Sequence, residues 1–199
     1  MKVAYLPYIL GAIICFLIFD GMRGSKGYKH PAGIMVAEAP LQEEVSSLRK
    51  WKKDEYLFTP LATFHARARV VQSARYRFDA GAALSPVDLV LAWGPLSDTA
   101  VLEQISFRQS GRFYSWRTKA PPLPLREISA HTANMHLIPA NKAVRDRLLR
   151  VQKDDIVTIE GYLVRIDRAD GWHWVSSLSR NDTGGGACEL IWVESLKAR

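Results

Sequence analysis

Two regimes of hydrophobic patterning divide the chain. Val3–Phe19, VAYLPYILGAIICFLIF, is an apolar run without a single charge, whereas from Leu61 onward apolar and polar positions mostly alternate. A run of that length is at the short end of what spans a bilayer, and Tyr5 and Tyr8 near one end suit the headgroup zone. Alternation with a period of two predicts half-buried strands. In Ala62–Ser73, Phe64, Ala66, Ala68 and Val70 alternate with His65, Arg67 and Arg69, and Ala74–Asp79 continues with Tyr76 and Phe78 against Arg75 and Arg77. Pro86–Trp93 is largely apolar and reads as a short helix or a buried strand. Ile105–Gln109 and Arg112–Arg117 flank Ser110-Gly111, a two-residue hairpin turn. Ile156–Asp167 is the clearest strand, apolar on both faces, with Gly161 in its middle predicting a bend or bulge. Trp172–Ser177 and Ala187–Ser195 complete the series, the first entered through the turn Ala169-Asp170-Gly171. Two helix starts stand out: Ser97-Asp98 ahead of Thr99–Gln104, and Asn141 ahead of Val144, Leu148 and Val151.

The fold class predicted is therefore mainly β, a small antiparallel barrel or sandwich (OB-like) with one or two short helices, preceded by one transmembrane helix. The boundaries expected are a signal-anchor at 1–20, a linker or stalk at 21–57 and a β-rich soluble domain at 58–199. The stalk is suggested by Gly21, Gly24, Gly27, Pro31, Gly33 and Pro40, and by the polar stretch ending in Arg49, Lys50, Lys52 and Lys53. No small-x-small cleavage pair follows the apolar run, since Asp20-Gly21-Met22-Arg23 comes next, so the anchor is expected to stay uncleaved. Arg23, Lys26 and Lys29 outnumber Lys2, which argues for an inside carboxyl-terminal side. The two-residue head is the layout of an exported domain, and the balance falls on a periplasmic one.

Charge adds little. Lys and Arg number 27 against 20 Asp and Glu, a formal +7 that favours acidic partners without specifying one. Two cysteines, Cys15 within the apolar run and Cys188, make no disulfide framework and no multi-cysteine zinc site. No metal or cofactor is expected.

Three segments carry candidate chemistry. His131-Thr132-Ala133-Asn134-Met135-His136 packs two imidazoles and an amide into six residues; in a loop they can converge, and in a strand positions five apart face opposite ways. The plainer reading is a non-repeating loop in which Asn134 and a histidine satisfy buried backbone groups. Asn181-Asp182-Thr183-Gly184-Gly185-Gly186 can expose amides to an anion, with Asp182, Thr183, Gly184 and Gly185 as candidate ligand contacts. The Lys-Ser/Thr pair of a phosphate loop is absent, so a flexible hairpin loop is favoured. Trp172 and Trp174 share a face and offer a stacking platform, with core packing as the favoured alternative. Cys188 alternates with Leu190 and Trp192, which points it into the core; as a nucleophile it would need His131 or His136 as base and Asn134 to orient it.

The stretches SPVDLVLAWGPLSD (85–98), ISFRQSGRFYSWR (105–117), HTANMHLIPAN (131–141) and GYLVRIDRADGWHWVSSLSRNDTGGGACELIWVE (161–194) resemble an uncharacterised family of bacterial proteins. The resemblance spans about residues 60–195. It implies one amino-terminal hydrophobic segment, bacterial inner-membrane anchoring and a domain of this kind, and it assigns no catalytic residues. The expectation is a single-pass protein whose Val3–Phe19 engages the lipid bilayer and whose non-catalytic barrel binds a protein or envelope component. The alternatives are a Cys/His-dependent hydrolase using Cys188 and, for a cytoplasmic domain, a single-stranded nucleic-acid binder, which the scattered arginines disfavour.

Overall fold

The computed structural model describes residues 30–45, 49–179 and 188–199. The anchor at Val3–Phe19, the stalk up to Lys29 and the glycine loop with Asp182, Thr183, Gly184 and Gly185 lie outside the described residues. Among the described residues no helix is long and apolar enough to cross a membrane.

The alternation read over Ala62–Ser73 belongs to one strand of 20 residues, β3 (Tyr56–Arg75). One edge of β3 pairs along its length with β8 (Ile156–Arg168). The other edge receives β2 (Trp51–Lys53), β1 (Leu41–Glu44) and β4 (Val87–Ala92) in succession. From β4 the sheet passes to β7 (Thr132–Pro139), then β10 (Glu189–Ala198), then β8, which returns it to β3. These five strands make a ring in the order β3–β4–β7–β10–β8. It is not a clean barrel, because β1 and β2 branch from β3 and β9 (His173–Val175) extends from β8. A separate hairpin, β5 (Ser106–Ser110) and β6 (Phe113–Arg117), stands apart from the large sheet. Three short helices complete the fold: α1 (Thr99–Leu102), α2 (Leu125–Ala130) and α3 (Lys142–Leu148).

All five ring strands contribute to one buried cluster, which includes Phe64, Ala66, Val70, Leu89, Leu91, Met135, Leu137, Ile159, Leu163, Ile191 and Val193. Two further clusters cover the outside of the ring. One gathers Tyr56, Phe58, Leu190 and Trp192 with Trp172 and Trp174 against it, and the other gathers Val71, Val90 and Ile128 under the β5–β6 hairpin. Strands this covered lose the one-sided alternation that marks a half-buried strand.

Several expectations need correction. The sheet is not wholly antiparallel, since β7 and β10 run parallel, and a third short helix, α2, follows the proline loop at 121–124. Residues read as linker join the fold: β1 and β2 pair with β3, and Val36 lies in the ring core. Pro86–Trp93 is the strand β4, with every residue from Val87 to Ala92 buried. The segment read as a loop over His131–Pro139 is, from Thr132 onward, the strand β7, buried at all eight positions. The strand expected at Ala74–Asp79 stops at Arg75, and Phe78 is 98% exposed. The hairpin turn falls one residue later than read, on Gly111-Arg112, whose φ angles of 57° and 67° suit a type I′ turn.

Gly161 does mark an irregularity. It pairs with Phe64 on one side and Val193 on the other, and the β8–β10 register shifts between Val193 and Ser195. Bulges of this kind bend strands into curved sheets. Both helix starts hold as read: Asp98 Oδ1 accepts from Ala100 N, and Asn141 Oδ1 accepts from Val144 N at 3.0 Å. Asn141→Ala should cost about 1 kcal/mol, read as a fall of roughly 2–4 °C in the thermal midpoint. An unchanged midpoint would mean that α3 is held by Val144 and Leu148 alone.

Candidate functional site

β4, β7 and β10 lie side by side, and their registers bring distant polar residues together. Asp88 stands opposite His136, and Leu190 pairs with His136 on the other side. Asn134 and His136, two apart on β7, therefore share a face, and Asn134 Nδ2 approaches Cys188 Sγ at 3.8 Å. The His136 imidazole and the Asp88 carboxylate thus sit on neighbouring strands, while Cys188, the residue before β10, stands beside Asn134.

Asp88 is fully buried and its two oxygens have different partners. Oδ1 accepts from Arg112 Nη1 at 3.1 Å and from Ser85 Oγ at 3.2 Å. Oδ2 faces His136 Nδ1 at 2.8 Å, and among the described residues neither atom has another partner. A buried carboxylate is tolerable only when charge and hydrogen bonds compensate it, and here it lies between two cations. Burial works against charge on His136, but the Asp88 carboxylate and then the Cys188 sulfur more than offset it. The ring is pushed up to about 9. His136 is accordingly an imidazolium at neutral pH, paired with the Asp88 carboxylate.

Arg112 ties this group to the neighbouring loop. Its Nε and Nη2 donate to Asp79 Oδ1 at 3.0 and 2.7 Å, and its guanidinium lies over the rings of Tyr76 (4.1 Å) and Trp174 (5.5 Å). These contacts hold a non-glycine residue in the left-handed conformation that the β5–β6 turn requires. Trp174 also packs on His136, with ring centroids 5.0 Å apart. Asn134 is fixed from both ends: Oδ1 accepts from Gln109 Nε2 at 2.7 Å, and Nδ2 donates to the Arg112 carbonyl at 2.8 Å.

Beside the polar group opens a cleft of about 590 Å³, lined by Tyr76, Asp79, Gly81, Arg112, Trp172, His173 and Trp174. Its walls come from the β3–β4 connection, the β5–β6 turn and the β9 arm. Trp172 and Trp174 meet edge to face at 6.4 Å, rest on the outer apolar cluster and leave part of each ring exposed to the cleft. The core packing favoured for them and the platform considered beside it thus describe two sides of the same rings.

Of the residues singled out from sequence, the fold gathers Asn134, His136, Cys188 and Trp174, with Trp172 adjoining. It separates His131, which caps α2 through a 2.8 Å contact between Nδ1 and the Glu127 carbonyl and packs over Gly94. Cys188 is half-buried, beside polar groups, which corrects the fully apolar setting expected for it. The sequence reading missed Asp88, Gln109 and Arg112. Asp88 had a signal, a lone carboxylate inside the apolar stretch Val87–Ala92, because an ionisable group there needs a dedicated partner. Among the described residues no three metal-ligating side chains converge on one point. Comparison with family models, with curated proteins and with solved structures finds no match for the chain.

Proposed function

We propose that the chain is a ligand-binding domain of the five-stranded Greek-key barrel type, tethered to the bacterial inner membrane by Val3–Phe19 and exposed to the periplasm. The ring supports the barrel reading. Numbered along the chain, its strands run first, second, third, fifth, fourth, with the third and fifth parallel and α3 between third and fourth. This order resembles the OB fold, in which the face of the second and third strands and the flanking loops take up chain-like ligands. The observation that carries a binding function is the cleft at that position, where Trp172, Trp174 and Tyr76 present aromatic surface.

The occupant favoured is an envelope glycan. Indole faces suit the apolar sides of sugar rings, and Arg112, engaged by Asp79 and Asp88, has its charge already balanced. Full-length protein in detergent, titrated with soluble peptidoglycan glycan fragments and followed by tryptophan fluorescence, should show saturable binding. Trp172→Ala should weaken that binding about tenfold or more, the scale of losing one aromatic anchor. Absence of saturable binding would remove the glycan reading. Submicromolar binding of a single-stranded oligonucleotide at about physiological salt, weakened by the same substitution, would turn it to nucleic acid and place the domain in the cytoplasm. A reporter that fluoresces only in the cytoplasm, fused after Arg199, should remain dark.

A further inference from the structure

The end of the domain where the chain enters the fold carries a basic face that the aromatic cleft does not use. His30 sits on the turn between α3 and β8: its Nε2 lies 2.7 Å from the Asp154 carbonyl, and its own carbonyl accepts from Thr99 Oγ1 at 3.1 Å. Asp154 N donates to the Val70 carbonyl, Val70 N donates to that of Asp155, and Ile156 and Arg199 exchange backbone hydrogen bonds. The entry of the chain, this turn and the end of β10 are therefore neighbours. Beside them Arg147, Arg150 and Lys197 line an open groove of about 540 Å³, and all three are exposed. The carboxylates at hand are already engaged. Asp146 Oδ2 holds Lys142 at 2.6 Å, Asp154 Oδ1 holds Arg69 at 2.7 Å, and Asp155 Oδ2 accepts from Gln152 N at 2.9 Å. Arg147 lies in the last turn of α3, where a cation suits the negative helix end, but Arg150 and Lys197 have no such role. Like charges gathered on one face repel one another, and an anion outside the chain relieves that repulsion.

We infer that this face docks the domain on the anionic phospholipid headgroups of the bilayer, an inference that rests on the anchor reading of Val3–Phe19. Only Asp20–Lys29 separates that run from His30, and ten residues reach at most about 35 Å when fully extended. This connecting segment holds Arg23, Lys26 and Lys29 against one acid, Asp20, and so has the same sign as the groove. Near an anionic surface each Lys or Arg strengthens attachment roughly fivefold, over a range of about 10 Å. So short a connection lets the groove reach that range. The other basic cluster, Arg49, Lys50 and Lys52, stands at the opposite end of the β3–β8 ladder, since Lys52 pairs with Leu57 and Leu57 with Asp167. Docking also orients the cleft. Trp174 pairs with Ile166, ten positions along β8 from Ile156, so the aromatic rings stand up to about 33 Å off the headgroups.

The test places full-length protein in lipid nanodiscs, one set zwitterionic and one with about a third anionic phospholipid. Lysine acetylation by a water-soluble ester, read by peptide mass, should be about tenfold or more slower at Lys197 in the anionic discs. The difference should vanish at about 1 M salt, where the screening length falls to about 3 Å. Lys50 and Lys52 should react alike in both sets. Arg147→Gln combined with Arg150→Gln should bring Lys197 to within about twofold of its rate in zwitterionic discs. Arg49→Gln combined with Lys50→Gln removes the same charge and should leave the protection intact. All four are exposed side chains, so neither variant puts folding at risk. Equal loss of protection in both variants would overturn docking at this face. Protection of Lys197 by a single-stranded oligonucleotide at about physiological salt, without protection by anionic discs, would give the face to nucleic acid instead. A chain that leaves zwitterionic discs at about 1 M salt would remove the anchor and docking with it. One that stays in the discs while Lys197 reacts equally in both sets would overturn docking alone.

Discussion

Gly161→Ala should be among the most destabilising single-methyl changes in the chain, lowering stability by about 3 kcal/mol or more. A Cβ at this position would lie 1.9 Å from the Trp192 carbonyl oxygen, 3.0 Å from its carbon and 3.2 Å from Val193 Cα. All three are backbone atoms, so no side-chain rotation relieves the overlap. The strands must move apart, and they do so at the β8–β10 bulge where the ring closes. Because β8 is held on its other edge by β3, the displacement is passed into two pairings. Thermal unfolding followed by circular dichroism should show the midpoint fall by roughly 6–12 °C for that loss in a chain of this length. A midpoint within a degree or two of wild type would mean that the ring opens easily there, and that the β8–β10 pairing carries little of the stability.

What the sequence disclosed follows the range of the interactions involved. Helix starts were legible at Asp98 and Asn141 because a cap is decided within three residues. The middle of β3 was legible because its outward positions are polar over a long stretch, and β8 because apolar residues run along both its faces over a long unbroken stretch. β7 was not, and the cause is physical: its outer face is roofed by the β5–β6 hairpin, so Asn134 and His136 are buried polar residues in a strand. Local patterning scores such residues as loop, although Gln109 and Arg112 from a separate hairpin satisfy Asn134. The candidate site was harder still. Cys188 and Asn134 are 54 positions apart and meet through a parallel pairing, the least local kind of strand contact. Composition suggested which residue types to watch, and only the register β4–β7–β10 brings Asn134 to Cys188 and His136 to Asp88 while leaving His131 apart.

Asp88→Asn should carry the second large effect, and its size should depend on pH. In the wild type, His136 is raised to about 9 while an imidazole in the unfolded chain titrates near 6.5. A group whose folded value is raised contributes stability that is fully present below about 6.5 and is lost as pH climbs through about 9. The span corresponds to stabilisation on the order of 3 kcal/mol from the pairing of His136 with its neighbours. Asparagine keeps the shape of Asp88 and can still accept from Arg112 or Ser85, but it brings no charge to oppose the imidazolium. Burial, the largest influence on His136, then acts without its main counterweight and drives the ring toward the neutral form. Urea unfolding at about pH 6 should therefore show the variant less stable than wild type by on the order of 3 kcal/mol. As pH rises toward about 9.5 the wild type should lose stability while the variant stays nearly flat, so the two curves converge. Arg112 retains Asp79 in the variant, which keeps the β5–β6 turn docked and confines the change to the His136 side. Parallel curves, with the same difference at both ends of the range, would show that Asp88 serves Arg112 alone. They would also mean that His136 does not owe its raised pKa to Asp88.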